Sequence, residues 1–129
     1  MRLLLDTHVW LWMTQAPDRL SHPARRMLLS PTTARYLSTA SALEIAIKHR
    51  IGKLTFPGDP ASLVPELLNR TQVVALPVLL SHALHVSALP IHHADPFDRL
   101  LIAQAQIEGL TILTSDPDFE RYNVKVSRA

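Results

Sequence analysis

The first apolar run of the chain, Leu3-Leu4-Leu5, stops abruptly at Asp6. A short run without alternation suits a strand buried on both faces. Thr7 to about Met13 reads as a helix, ended by Ala16-Pro17-Asp18. Ser21 can cap a second helix, with Pro23 in its first turn and Ala24, Met27 and Leu28 at helical spacing; Ser30-Pro31 stops it. Arg35 to Ser38 is a second strand. A strongly amphipathic helix follows from about Ser41 to Arg50, with Leu43, Ala46 and Ile47 on one face and Gly52 beyond its end. Phe56 to Pro60 is a loop, Ala61 to Arg70 a helix, and Gln72 to Leu76 a strand ended by Pro77. Leu79 to Leu89 is another helix, followed by the loop Pro90 to Ala94. The best-defined helix runs from Pro96 to Glu108, with Asp95 at the cap, Pro96 at the first position and Gly109 just past the end. Thr111 to Thr114 is a strand, Pro117 to Arg121 a short helix and Val124 to Val126 a final strand. This alternation predicts a three-layer α/β fold, its central sheet mostly parallel and flanked by helices, in one domain over residues 1–129.

Four acidic residues close or follow these apolar runs: Asp6, Glu44, Asp98 and Asp116. In an α/β sheet the strand ends gather along one edge, where ligands bind. Carboxylates gathered there repel unless a cation neutralises them, and hard oxygen donors suit Mg²⁺ or Mn²⁺. The pattern therefore points to a metal-dependent site that cleaves phosphodiester bonds. Each residue also has a plainer explanation. Asp6, Asp95 and Asp116 can cap helices, Ser41 and Glu44 match a capping box, and Asp98 complements a helix dipole. Asp95, committed to the cap, is a weaker ligand candidate than Asp98. Asp118 and Glu120 are expected to face solvent.

Composition narrows the remaining classes. The 129 residues are 47% hydrophobic and 19% charged, which argues for a folded domain and against disorder. No apolar run is long enough to span a membrane, and Asp6 and His8 interrupt the start too early for a signal peptide. The absence of cysteine excludes disulfides and thiolate metal sites and fits a cytoplasmic protein. The net charge of +2 is spread without a basic tail; if the acids share one pocket, the rest of the surface is positive enough to hold a phosphate backbone. His82, His85, His92 and His93 lack the ligand spacing of a zinc site. With three glycines there is no phosphate-cradling loop, and no Gly-x-Ser-x-Gly turn is present. Trp10 and Trp12 point about 200° apart on a helix, so one core cannot bury both; the second is expected in an interface.

Leu3-Leu4-Leu5-Asp6-Thr7-His8-Val9-Trp10, Ser41-x-x-Glu44-Ile45-Ala46-Ile47-Lys48, and His93-x-Asp95-Pro96-Phe97-Asp98-Arg99-Leu100-Leu101-Ile102-Ala103-Gln104-Ala105 are the telling stretches. Together with Thr114-Ser115-Asp116, they resemble PIN-domain proteins of the VapC-like toxin group over essentially the whole length. The resemblance implies a PIN-like fold and a metal-dependent endoribonuclease acting on RNA, commonly a homodimer and neutralised by a small antitoxin protein. It implies an acidic set of Asp6, Glu44, Asp98 and Asp116, with Ser41 and Thr114 at nearby polar positions and Asp95 within the matched stretch. Arg99 stands beside Asp98, where it would bind phosphate or brace a carboxylate. Three alternatives stay open: an RNA-processing nuclease of the same fold without an antitoxin, a receiver-like signalling domain, and a non-catalytic binding module whose acids are only caps.

Overall fold

Leu3, Leu4 and Leu5 are all fully buried, but on opposite sides of the sheet. Successive strand residues point to opposite faces, so Leu3 and Leu5 enter one core and Leu4 the other. This is why the run is continuous rather than alternating. In the computed structural model, which describes residues 1–92 and 94–129, the strands are β1 (Arg2–Leu5), β2 (Ala34–Ser38), β3 (Val74–Leu76), β4 (Thr111–Thr114) and β5 (Val126–Arg128). The helices are α1 (Thr7–Gln15), α2 (His22–Leu29), α3 (Thr39–Arg50), α4 (Pro60–Thr71), α5 (Leu80–His85) and α6 (Pro96–Glu108). Short 3₁₀ turns lie at Pro17–Arg19, Val86–Ala88 and Pro117–Arg121.

The five strands pair in the order β3-β2-β1-β4-β5, and every pairing is parallel. Leu3, Leu5, Leu37 and Leu113 pack against Val9, Trp10, Ala24, Leu28, Ile45 and Val64, which brings α1 to α4 onto one face. Leu4 and Ile112 pack against Leu101, Ile102, Ala105 and Phe119, which brings α6 onto the other. The predicted three layers are therefore present, and the sheet is wholly rather than mostly parallel. The order also removes the receiver-like alternative, whose sheet runs 2-1-3-4-5.

Chain direction reverses beside β1. From β1 the chain steps outward through β2 to β3, then returns through α5 and α6 to β4 on the other side of β1. Crevices at such switch points, beyond the carboxyl ends of the strands, are where open α/β sheets bind ligands. The pairing Leu5↔Leu113 puts Asp6 next to Thr114 at this point.

Four boundaries differ from the sequence reading, each for a local reason. The chain passes from β2 into α3 without a loop, because Ser38 ends the strand and its Oγ accepts from the Ala40 amide at 3.0 Å. The helix therefore starts two residues before Ser41, and the Ser41–Glu44 capping box does not form. The starting azimuth also turns Ala40, Ser41, Glu44 and Ile45 inward, leaving Leu43 54% and Ile47 43% exposed. The expected apolar face is thus the outer face of α3. Further on, α5 ends at His85 and tightens into a 3₁₀ turn before Pro90. β3 begins at Val74, after Gln72 closes α4 in the left-handed conformation. β5 pairs with β4 two residues later than expected, since its position is set by the Ile112↔Val126 register and not by its own apolar residues. By contrast α6 and β4 have the predicted bounds, and Gly109 takes the left-handed cap at φ 67°.

Replacing the buried cap, Ser38→Ala, should lower unfolding free energy by about 1 kcal/mol. Chemical denaturation checks this; an unchanged midpoint would mean that α3 does not depend on a cap at Ser38.

Candidate active site

Beyond the carboxyl ends of β1 and β4 lies a pocket of about 340 Å³ lined by Asp6, His8, Trp12, Glu44, Lys48, Asp95, Asp98, Ser115 and Asp116. All four carboxylates of the predicted acidic set reach it, and Asp95 joins them. A cavity of similar size, about 310 Å³, opens near Gly109, Asn123 and Lys125 and contains no carboxylate.

Asp6 follows the last residue of β1 and occupies the cap position of α1, yet its side chain makes no capping bond to that helix. Its Oδ2 instead accepts from the Thr114 hydroxyl at 2.8 Å, across the switch point. The same hydroxyl accepts from the Asp116 amide at 3.0 Å. Thr114 is fully buried, so one side chain sets both the carboxylate after β1 and the backbone after β4. Ser41 plays a related part. It is buried in α3 and accepts from Thr7 Oγ1 at 2.8 Å, tying the start of α1 to the helix that carries Glu44. Neither Ser41 nor Thr114 lines the pocket; both act from behind it.

Asp95 and Asp116 combine the two explanations that the sequence set against each other. Asp95 Oδ1 accepts from the Phe97 amide at 2.8 Å, and Asp116 Oδ1 from the Asp118 amide at 2.9 Å. Each carboxylate also lines the pocket. Capping and pocket lining coincide because the helix starts follow the strand edge. Among the described residues, Arg99 bonds backbone carbonyls and not a carboxylate. Its guanidinium donates to the backbone carbonyls of Pro90, Val86 and Leu89 at 2.9, 3.0 and 3.4 Å, outside the pocket. It fastens the turn after α5 to the start of α6. Of the histidines set aside as a zinc site, His82 is buried, with Nδ1 accepting from the Leu79 amide, and His93 lies outside the described residues.

Four pocket residues, Lys48, His8, Trp12 and Ser115, were not among the predicted site residues. Lys48, one turn after Glu44, bonds its carboxylate at 2.5 Å. The ammonium is held above its ordinary range, first by that hydrogen bond. The i, i+4 spacing of the pair was the available clue. His8 and Trp12, also four apart, form the wall contributed by α1. Ser115 follows from its place between Thr114 and Asp116. Trp10 is fully buried and Trp12 half-buried, as two opposed directions require. Leu11 belongs to the core.

The pocket is electrostatically unfavourable by itself. Burial raises the Asp6 carboxyl above its ordinary range, with the Thr114 hydroxyl pulling the other way. Asp98 is pushed up to about 8, first by burial and then by the charges of Asp95, Asp6, Glu44 and Asp116. An all-oxygen, negatively charged donor set fits a hard divalent cation, which would relieve this repulsion. Among the described residues no three His, Asp or Glu side chains form a ready-made cage around one point. An ion such as Mg²⁺, which keeps several of its own waters, needs only a few of these carboxylates as direct ligands.

Carboxylates converging at the switch point of an all-parallel sheet define an α/β domain with an acidic edge pocket. The chain belongs to the PIN-domain family, which matches residues 3–125. Over 49 residues it is 47% identical to Ribonuclease VapC16 of Mycobacterium tuberculosis (strain ATCC 25618 / H37Rv), covering 38% of this chain and 35% of that protein. The match thus spans about a third of that relative's length. Among solved structures, the chain resembles VapBC2 from Rickettsia felis bound to a DNA fragment from their promoter, at 16% identity and a TM-score of 0.74. It also resembles DNA-bound VapBC from Salmonella typhimurium, at 17% identity and a TM-score of 0.70. Each alignment covers 99% of this chain and 98% of the other. At these identities the likeness is one of fold.

The raised Asp98 carboxyl has a thermal consequence. Between the ordinary 3.8 and about 8, the folded protein retains a proton that the unfolded chain has released. Stability without a cation must then fall as pH rises through that window. In chelator, melting temperature should drop from about pH 5 to about pH 8, and Asp98→Asn should flatten most of the slope and melt a few degrees higher at the upper end. An identical slope in the variant would show that the carboxylate cluster does not control it.

Proposed function

We propose that this chain is a divalent-metal-dependent endoribonuclease and the toxin of a toxin–antitoxin pair. The observation that carries the nuclease reading is the convergence of five carboxylates on one edge pocket, where burial and neighbouring charge push the Asp98 carboxyl up from its ordinary range. Capping alone does not require the acids to share one pocket, so their convergence favours a catalytic site over a non-catalytic module. The relative named as a ribonuclease and the PIN family point the same way.

In this reading Asp6, Glu44, Asp98 and Asp116 hold one or two Mg²⁺ or Mn²⁺ ions. The bound ion supplies Lewis-acid charge and a water of lowered pKa for attack on phosphorus. Thr114 holds Asp6 in one orientation through its hydroxyl. Ser41 and Thr7 fix α3 against α1, which sets the depth of Glu44. Lys48 balances Glu44 until a cation shares that role, and its ammonium is then placed at the pocket wall to meet a phosphate oxygen. Asp95 shapes the charge of the pocket while remaining tied to the Phe97 amide.

The partner reading rests on a different surface. The outward stripe of Leu43, Ile47 and Ile51 on α3 and the exposed Leu79, Leu80 and Leu84 around α5 leave more large apolar area in water than scattered residues would. Two solved structures that share this fold are VapBC2 of Rickettsia felis and VapBC of Salmonella typhimurium, both bound to DNA. A small antitoxin on one stripe and a second copy of the chain on the other account for both surfaces. That pairing favours the toxin reading over an RNA-processing nuclease without an antitoxin. No helix among the described residues is long and apolar enough to cross a membrane, and we place the protein in the cytoplasm.

Purified protein should cleave single-stranded RNA with Mg²⁺ or Mn²⁺ and stop in chelator. Asp6→Asn should lose about 100-fold or more of the rate, and Thr114→Val about tenfold through a misoriented Asp6. Mg²⁺ should also raise the melting temperature of the wild type. Metal-independent cleavage, or full activity in Asp6→Asn, would remove the proposal.

A further inference from the structure

The pocket has one wall unlike the others. Asp6, Glu44, Asp95, Asp98 and Asp116 supply carboxylates, whereas α1 supplies His8 and Trp12 one turn apart, their ring centroids 6.5 Å apart and inclined by 52°. The Arg19 guanidinium lies 4.7 Å from the Trp12 ring centroid, from the 3₁₀ turn that follows α1. Trp12 is half-buried, so its ring is backed by protein while still bordering the cavity. Val9, Trp10 and Leu11 form the buried face of α1, and Trp12 packs against the edge of that core while its ring also lines the pocket. Large, rigid rings beside a guanidinium, bordering a site that handles a phosphodiester, are the surfaces on which unpaired bases stack.

We infer that His8, Trp12 and Arg19 form a base-binding subsite, in which Trp12 stacks an unpaired RNA base next to the phosphodiester held over the carboxylates. This rests on the nuclease reading above and adds a binding determinant to it. Stacking supplies an attraction that phosphate cannot: five carboxylates repel the backbone, but a base is neutral and offers a flat apolar face. Arg19, held on the indole, brings positive charge beside that ring. The arrangement selects for single strands, because a base inside a duplex has both faces covered by its neighbours. It is tolerant of base identity, since every base has such a face.

The chain reports on itself. Trp10 is fully buried and Trp12 borders the pocket, so a change in tryptophan fluorescence on ligand binding reads mainly Trp12. Stopped-flow mixing with a ten-nucleotide single-stranded RNA and Mg²⁺, before turnover, should quench the signal, and the same RNA annealed to its complement should not. Trp12→Leu keeps apolar bulk without an aromatic face; it should raise KM for the single strand about tenfold or more while kcat falls much less. Trp12→Phe should recover most of that loss, and thermal melts of both variants verify folding. Equal quenching by duplex and single strand, or an unchanged KM in Trp12→Leu, overturns the subsite and leaves the nuclease reading intact. So does a Trp12→Leu defect confined to self-association, which assigns the ring to a protein interface. A wild type that neither binds nor cuts RNA sinks both readings together.

Discussion

Five carboxylates around one small pocket repel one another, and the rest of the structure has to hold them in place against that repulsion. The work is divided between covalent placement and a few buried hydroxyls. Asp6 directly follows β1 and Asp116 lies two residues beyond β4, an adjacent strand buried on both faces, so neither can retreat without disturbing the centre of the sheet. Thr114 links them with one hydroxyl that donates to a carboxylate and accepts from an amide. Glu44 is held by the loop-free passage from β2 into α3 and by the contact of Ser41 with Thr7. Packing thus sets the geometry, and the unfavourable charge appears as displaced proton equilibria rather than as displaced atoms.

The orientation of α3 follows from the same constraint. A helix in a small α/β protein ordinarily turns its most apolar side to the sheet. Here Leu43 and Ile47 face outward while Ser41 and Glu44 face inward, beside Ile45. Burying a charged side chain costs free energy unless it is paired, and Lys48 supplies that partner from the next turn. The exposed stripe is the counterpart of the buried acid: one rotation of the helix produces both.

Much of this was legible in the residues because the signals were local. Buried strands appear as unbroken apolar runs, as in Leu3 to Leu5. The bounds of α6 are written by Asp95, Pro96 and Gly109, whose caps are set by their own backbone geometry. The acidic set was readable because strand ends share an edge whatever the strand order. Information carried by pairing was not legible. The position of β5 depends on its register with β4, and the inward face of α3 depends on how Ser38 leaves β2. The bonds of Arg99 go to carbonyls of Val86, Leu89 and Pro90, which no side-chain pattern announces. Periodicity misjudged α3 because it assumes that burial follows hydrophobicity, and functional sites are where that assumption fails.

Arg99 and Asp98 are neighbours in sequence with opposite assignments: one faces the pocket, the other staples the turn behind α6. Because they share a backbone, loosening the staple shifts the first turn of the helix and moves the carboxylate with it. A mutational scan scored on turnover alone would therefore rank the two side by side, although the arginine bonds carbonyls behind the helix and does not line the pocket. Proteolytic susceptibility between Val86 and Pro90 would separate them, since only loss of the staple frees that segment.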